Sequence, residues 1–245
     1  MLIASALALL TLVSSDTGKK KLDSLPLATT RTIEYETSEG TWLSLDVSPD
    51  GRTIVFELMG DLYTLPIGGG RAAPLTHGPA FDSQPRWSPD GKQIAFLSDR
   101  DGGENIWLIT ADGTRTTEVS KGDNSLFASP EWTPDGNYIV ASKTNAPLGS
   151  SYALWLFHKD GGPGLNLTKD DKGTGALGQG RGTNINSLGA AFGKDGRYIW
   201  YARKRGGFGY NIDLTQWQLA IFDRETGRIF PQTDIYGSAM RPVLS

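Results

Sequence analysis

A four-residue turn signal recurs along this chain of 245 residues and constrains its fold more than any other feature. The copies are Ser48-Pro49-Asp50-Gly51, Ser88-Pro89-Asp90-Gly91, Thr133-Pro134-Asp135-Gly136 and, in degenerate form, Gly193-Lys194-Asp195-Gly196. Proline presets φ at the second position of a turn, aspartate bonds to its own backbone, and glycine accepts the exit geometry. Each tetrad therefore predicts a tight reversal between two strands, and its regular return predicts a repeat protein.

Apolar runs of strand length flank every tetrad. The strand that enters the turn ends on Val47, Trp87, Trp132 or Phe192. The strand that leaves it carries Ile54, Ile94, Ile139 or Ile199, in β-branched and aromatic runs too short for helices. A third run follows at 62–65, 106–109, 154–157 and 219–222, each before a glycine turn. A fourth short strand is predicted at Leu75-Thr76, Val119-Ser120, Leu167-Thr168 and 229–233, so each unit is a four-stranded antiparallel sheet.

The spacing of the tetrads predicts a β-propeller. They begin at residues 48, 88, 133 and 193, so the first two units have the length of a propeller blade and the third carries insertions. One such sheet leaves both faces uncovered, so the units must pack face to face around an axis. We therefore expect an all-β propeller of about four four-stranded antiparallel blades over residues 31–245.

The last six residues look like the start of another unit. Met240-Arg241-Pro242-Val243-Leu244-Ser245 aligns with Ser83-Gln84-Pro85-Arg86-Trp87-Ser88, so the sequence stops on the first residue of a fifth tetrad. A propeller protects its strand edges by closing its ring. We expect this segment to be truncated before closure and to continue into a longer protein. A complete protein with a frayed last strand is the alternative.

The first thirty residues are typical of processing and linking segments. Residues 2–13 are apolar but too short for a bilayer span, and Ser14-Ser15 suit signal-peptidase cleavage, although no basic residue precedes Leu2. We expect a signal peptide at 1–15, a polar linker at 16–30, no stable membrane span, and a periplasmic or secreted protein. A frayed apolar N-terminus of a cytoplasmic protein is the alternative. The chain has no cysteine, so a disulfide framework is excluded.

Charge and motif content exclude several kinds of site. A formal net charge of -3 offers no basic footprint for nucleic acid. The two histidines, His77 and His158, are far apart in sequence, and there is no cysteine, so no recognisable zinc motif is present. No G-x-S-x-G nucleophile elbow occurs either. We assign no catalytic residue, no metal ligand and no cofactor to this segment.

The hairpin turns divide the connections between two rims of the predicted propeller. The tetrads and the glycine turns share one rim, and the opposite rim receives the long connections at 143–152, 169–184 and 203–211. Functional residues often lie on such loops. The last connection combines three cations with two aromatic rings: Arg203, Lys204, Arg205, Phe208 and Tyr210. We select these as a candidate partner- or substrate-facing loop for an anionic or aromatic group. A loop that docks onto a neighbouring domain is the equal alternative.

The repeats resemble the TolB-type β-propeller family. The resemblance is carried by Gln84-Pro85-Arg86-Trp87-Ser88-Pro89-Asp90-Gly91 and Asp101-Gly102-Gly103-Glu104-Asn105-Ile106-Trp107, and it covers about residues 40–245. Such repeats occur in TolB-type envelope scaffolds and in the propellers of tricorn-like and prolyl-oligopeptidase-like serine peptidases. They also occur in secreted bacterial proteins whose propeller precedes a metal-dependent amidohydrolase domain. The resemblance is specific for the fold but not for the function.

In detail, the repeat sequences are most similar to those of the amidohydrolase group. This similarity lies in residues 40–48, in Asp61-Leu62-Tyr63 and in residues 211–223. The resemblance implies the N-terminal propeller of an extracytoplasmic amidohydrolase, a scaffold that gates or positions substrate. Its partner would be its own missing C-terminal domain or another protein, and a divalent metal such as zinc would belong to that domain. The alternatives are the propeller of a tricorn-like or prolyl-oligopeptidase-like serine peptidase and a TolB-like interaction module without catalysis. Because TolB carries an α/β domain before its propeller, which residues 16–30 are too few to hold, the last alternative is weakened.

Overall fold

The computed structural model describes residues 36–145, 151–169, 185–205, 217–234 and 237–244. Within these ranges the chain forms sixteen β-strands and no helix, arranged as four separate antiparallel sheets of four strands each. Each sheet is a simple meander in which consecutive strands pair. The prediction of an all-β propeller built from four-stranded antiparallel blades is confirmed.

The strand bounds follow the repeat. Blade 1 contains β1 (Leu45–Val47), β2 (Thr53–Leu58), β3 (Asp61–Pro66) and β4 (Ala73–Pro74). Blade 2 contains β5 (Asp82–Trp87), β6 (Gln93–Ser98), β7 (Asn105–Thr110) and β8 (Thr116–Glu118). Blade 3 contains β9 (Ser125–Trp132), β10 (Tyr138–Asn145), β11 (Ala153–His158) and β12 (Leu165–Asn166). Blade 4 contains β13 (Ile185–Phe192), β14 (Tyr198–Arg205), β15 (Gln218–Asp223) and β16 (Ile229–Pro231).

Every tetrad joins the first and second strands of its blade, as predicted. The apolar residue before each tetrad pairs with the isoleucine after it, and the four pairs are Val47 with Ile54, Trp87 with Ile94, Trp132 with Ile139, and Phe192 with Ile199. Turn chemistry fixes the register of a hairpin, so the same cross-strand pair recurs in every blade.

The fourth strands of the first three blades lie slightly earlier than predicted. Leu75-Thr76 follows β4, because the amides of both residues donate to the carbonyl of Leu62, at 2.7 and 3.2 Å, and this interrupts the regular ladder. The Thr76 hydroxyl in turn accepts the Leu62 amide at 2.9 Å. Ser120, Thr168 and Thr233 accept the corresponding amides of the third strands. In each blade, the side-chain hydroxyl of the residue that follows or ends the fourth strand segment thus bonds to the backbone of the third strand.

Both faces of the inner blades are buried. On β6, Ile94 and Phe96 join the core shared with blade 1, whereas Ala95 and Leu97 join the core shared with blade 3. A strand buried on both sides carries a continuous apolar run rather than an alternating one. The first strand of each blade packs against the preceding blade, and neighbouring first strands contact each other. The first strands therefore lie innermost, and the blades follow one another in sequence order.

A β-bulge recurs in the innermost strands four residues before the second, third and fourth tetrads. Gln84, Ser129 and Gly189 have φ of 52°, 53° and 67°, and the register of each strand pair shifts at that point. The freed amide turns toward the preceding blade, where Ser129 donates to Gln84 Oε1 at 2.7 Å and Gly189 donates to Ser142 Oγ at 3.3 Å. Bulges re-aim backbone groups in this way. Here they supply hydrogen bonds between blades.

Candidate functional site

The connections lie on two rims because the strands of each blade alternate in direction. The tetrad rim carries the tetrads and the turns between third and fourth strands. The loop rim carries the turns between second and third strands and the links from one blade to the next. Residues 146–150, 170–184 and 206–216, which contain much of the predicted long connections, lie outside the described residues.

A compact hydrogen-bond network holds each serine or threonine tetrad. The Ser88 hydroxyl donates to Asp90 Oδ1 at 2.7 Å and accepts the Gln93 amide at 2.9 Å. The Lys92 amide donates to the same carboxylate oxygen at 3.1 Å. These bonds, first of all the one from Ser88, lower the pKa of Asp90. The tetrad carboxylates are thus committed to their own turns.

Tetrads of consecutive blades stack on one another. A Cβ placed on the glycine of the second, third or fourth tetrad would meet the proline ring of the preceding tetrad. The distances are 3.7 Å from Gly91 to Pro49 Cδ, 3.8 Å from Gly136 to Pro89 Cδ, and 3.3 Å from Gly196 to Pro134 Cδ. The prediction that the tetrads are structural therefore gains a second reason. They connect neighbouring blades as well as the strands of one blade.

A groove of about 860 Å³ opens on the tetrad rim between blades 2 and 3. Its lining includes three cations and three carboxylates: Lys92, Arg115, Lys159, Asp90, Asp135 and Asp160. Lys159 Nζ lies 2.8 Å from Asp160 Oδ1, whereas the Lys92–Asp90 distance is 3.7 Å between exposed side chains. The sequence analysis assigned no role to this rim beyond structure. The lining of the groove therefore presents charges of both signs.

Three charged residues occupy equivalent places on adjacent innermost strands, two residues before their tetrads. These are Asp46, Arg86 and Glu131. Asp46 Oδ2 accepts the Trp87 amide at 2.8 Å, and Arg86 Nε lies 3.5 Å from Glu131 Oε2. Burial raises the pKa of Glu131 to about 7, Arg86 opposes the rise, and Asp46 adds to it. The result is a chain of alternating charges across three blades.

Two carboxylates near the loop rim are held by hydrogen bonds, one within blade 2 and one between blades 2 and 3. Asp82 is 1% exposed, accepts the Ser98 hydroxyl at 2.6 Å and forms bonds of 2.8 Å from Arg100 Nη2 to both its oxygens. Glu104 accepts the amide of Phe127 in the next blade, and burial raises its pKa. Because a buried carboxylate requires partners of this kind, we interpret both groups as structural.

Three of the candidate residues chosen from the sequence lie in a strand. Arg203, Lys204 and Arg205 lie in β14, so the strand extends through residues that the sequence analysis placed in a connection. The Lys204 side chain is buried, at 6% exposure, and its Nζ lies 5.8 Å from the centre of the Trp217 ring. Phe208 and Tyr210 lie outside the described residues.

Lys143 is a residue that the sequence analysis did not single out. It lies near the loop-rim end of β10, paired across the sheet with Phe127 and Ala153. Its Nζ faces three aromatic rings, with centroids at 4.7 Å (Trp155), 5.5 Å (Phe127) and 6.0 Å (Phe157). An alternating pattern of aromatic residues on the paired strands is a sequence signal for such a wall. The lysine itself cannot be recognised without the pairing register.

The histidines lie apart in the structure as well. Both are exposed, and His158 Nδ1 accepts the Asp160 amide at 3.2 Å. Among the described residues, no group of three or more His, Asp or Glu side chains is placed to hold a metal ion. In the same part of the chain, no helix has the length and apolar character needed to cross a membrane.

Comparison with known proteins identifies the repeat. The family model described as "Tricorn protease N-terminal beta propeller domain" matches residues 45–213. Tricorn protease homolog 1 of Streptomyces coelicolor is 30% identical over 160 residues, which cover 65% of this chain and 14% of that protein. The Tol-Pal system protein TolB of Wolinella succinogenes is 32% identical over 111 residues, covering 43% of this chain and 25% of that protein. The chain thus spans a quarter or less of both relatives.

Solved structures support the fold. The structure of a putative TolB from Agrobacterium tumefaciens matches with a TM-score of 0.60 at 20% identity, over 78% of this chain and 61% of that one. At this identity the likeness bears on the fold alone. The amidohydrolase interpretation, which the details of the repeat sequences favoured, receives no support from these matches. The peptidase alternative fits them better.

Proposed function

This chain belongs to the family of tricorn protease N-terminal β-propeller domains, and from that premise we propose that it is the non-catalytic, peptide-handling propeller of a serine peptidase system. Its role is to bind and orient polypeptide while a separate catalytic domain performs hydrolysis. The observation that carries the proposal is the family match, which extends over three complete blades and into the fourth. This proposal takes the place of the amidohydrolase interpretation that was preferred from the sequence.

Two properties of the described residues support a binding role. The groove between blades 2 and 3 presents both signs of charge on a rigid scaffold, which suits a backbone or side chains of mixed polarity. The arginine in this groove, Arg115, is exposed and has no ion pair within the described part of the chain. An extended peptide can therefore add contacts there without displacing existing ones.

A TolB-like interaction module is the second candidate. It is favoured by the 32% identity to the Tol-Pal system protein TolB. On this alternative the propeller binds a folded protein and takes no part in peptide hydrolysis.

We also propose that the protein acts outside the cytoplasm, for which residues 2–15 are the support. A fusion of these residues to a reporter that is active only outside the cytoplasm tests the location.

The peptide-handling role is tested with the purified chain and a fluorescein-labelled, unstructured decapeptide. Anisotropy measures binding, and mass spectrometry of the same sample measures cleavage. We expect binding with a dissociation constant below about 1 mM and no cleavage. Cleavage that persists in repurified protein would overturn the non-catalytic assignment. Absence of binding at about 1 mM chain would overturn the peptide-handling role in favour of the TolB-like alternative.

A further inference from the structure

Lys143 has an environment unlike that of the paired cations. Arg86, Arg100 and Arg197 are also partly buried, and each has a carboxylate within 3.5 Å. Within the described residues, no carboxylate lies within 4 Å of Lys143 Nζ, and the ammonium has no hydrogen-bond acceptor there. Its contacts are the three ring faces alone. In the described part of the chain, Lys143 is therefore a cation without an anion.

The aromatic wall beside Lys143 is rigid. Phe127 and Phe157 are 4% and 2% exposed and meet edge to face, with their ring centroids 5.8 Å apart. Trp155, which is half-buried, stacks on Phe157 with a centroid separation of 6.3 Å. All three rings come from β9 and β11, on either side of β10, and pack on the core shared with blade 2. The wall is thus positioned before any ligand arrives.

The partly buried ammonium group of Lys143 favours the binding of an anion. Burial lowers the pKa of Lys143, and no neighbouring charge offsets this effect. Ring faces attract a cation but have no lone pair that accepts a hydrogen bond. They therefore replace the lost hydration of the ammonium only in part. A ligand oxygen that accepts from Nζ would restore a hydrogen bond and a counter-charge together. Binding energy is therefore available at this point.

The surroundings also select the type of anion. One cation matches one negative charge, and the half-buried ring of Trp155 can accommodate an apolar group next to that charge. A phosphate monoester would bring a second charge and further oxygens, which a single lysine cannot satisfy. We propose that Lys143 and Trp155, supported from behind by the buried rings of Phe127 and Phe157, form a subsite for a carboxylate attached to an apolar group. The form relevant to the proposed function, on which this inference rests, is the C-terminal carboxylate of a peptide that ends in an apolar residue.

The test compares 3-phenylpropionate with the isosteric amide 3-phenylpropanamide, which has the same shape and no charge. Titrations into the isotopically labelled chain are followed at the indole N–H of Trp155, assigned with Trp155→Phe. We expect the carboxylate to bind at least tenfold more tightly than the amide. Lys143→Met should lose this preference while keeping the apolar stem, and Lys143→Arg should retain binding within a few fold. Lys121→Met is the matched control and should bind like the wild type, because the Lys121 side chain is 79% exposed and its Nζ already has Glu118 Oε2 at 3.8 Å.

Equal binding of acid and amide would overturn the subsite, as would an unchanged preference in a folded Lys143→Met variant. The same holds if the wild type binds no carboxylate at about 20 mM, a concentration well above the weakest useful affinity. Repeating the decapeptide experiment with an amidated C-terminus separates the two proposals. If both peptides bind equally, the subsite fails and the peptide-handling role stands. If 3-phenylpropionate binds through Lys143 but no peptide binds, the peptide-handling role fails and the subsite stands.

Discussion

Removal of the Ser88 hydroxyl should destabilise the chain measurably, because this hydroxyl fills two roles in the second tetrad. Ser88 is 3% exposed, and its hydroxyl donates to Asp90 and accepts the Gln93 amide. Alanine in its place leaves that amide without its partner and removes one bond from the carboxylate. An unsatisfied buried donor costs about 1–3 kcal/mol, so we expect Ser88→Ala to lower the free energy of unfolding by about 2 kcal/mol.

The fourth tetrad provides the reciprocal experiment, since it has Gly193 where the others have Ser or Thr. A Cβ on Gly193 would meet only Asp195 Oδ1, at 3.6 Å, so a side chain fits. We expect Gly193→Ser to be more stable than Gly193→Ala by about 1 kcal/mol, the contribution of one hydrogen bond. The alanine variant isolates the hydroxyl from the reduced backbone entropy that any replacement of glycine brings.

Urea unfolding followed by tryptophan fluorescence measures these variants, with calorimetry as a second probe. For a chain of this size, about 1 kcal/mol corresponds to a shift in Tm of about 2–4 °C. A loss below about 0.5 kcal/mol for Ser88→Ala, within the usual range of a neutral surface substitution, would refute the role of the hydroxyl. Equal stability of the serine and alanine variants at 193 would show that the tetrad network does not transfer between blades.

Three further perturbations follow from the same structure. Hydrogen bonds hold the pKa of Asp112 at about 2, below its unfolded value of 3.8, so its stabilisation is present above pH 4 and lost as the pH falls toward 2; Asp112→Asn should flatten this part of the urea midpoint against pH, and an unchanged profile would contradict it. Gly196→Ala should cost more than Gly51→Ala, because both have positive φ but only Gly196 has a proline ring 3.3 Å from the new Cβ; equal unfolding energies would argue against stacking of the tetrads. Asp82→Ala should cost about 3–5 kcal/mol by leaving Arg100 unpaired, and calorimetry that finds less than about 1 kcal/mol would disprove that pairing.

The blade repeat was predictable from sequence because its signals are local. A proline, an aspartate and a glycine in succession specify a turn wherever they occur, and the isoleucine that follows pairs across that turn in every blade. The fourth strands were less predictable. Leu75 and Thr76 have strand-like side chains, but their amides converge on one carbonyl of β3, a contact between segments separated by a variable turn.

The candidate site depended on pairing that the sequence does not display. Arg203 and Arg205 suggested a solvated connection, yet their strand continues because Gln218 and Ile185 are in register to pair with them. Strand β10 likewise extends to Asn145, because Ser125 of β9 is in register to pair with that residue. The two bulge residues with positive φ that are not glycine, Gln84 and Ser129, also carried no sequence signal. Their conformation is stabilised by hydrogen bonds to the preceding blade.

Sequence alone determined the class of fold, the order of the strands and the structural role of the tetrads, because turn propensity and apolar runs act over a few neighbouring residues. Tertiary structure decided which charges are paired. Whether Lys143 has a counter-ion depends on side chains from three strands, and whether Glu131 is neutral or charged near pH 7 depends on Arg86 in the preceding blade. Electrostatic environment is set by distance and burial, and both arise only when the blades pack together.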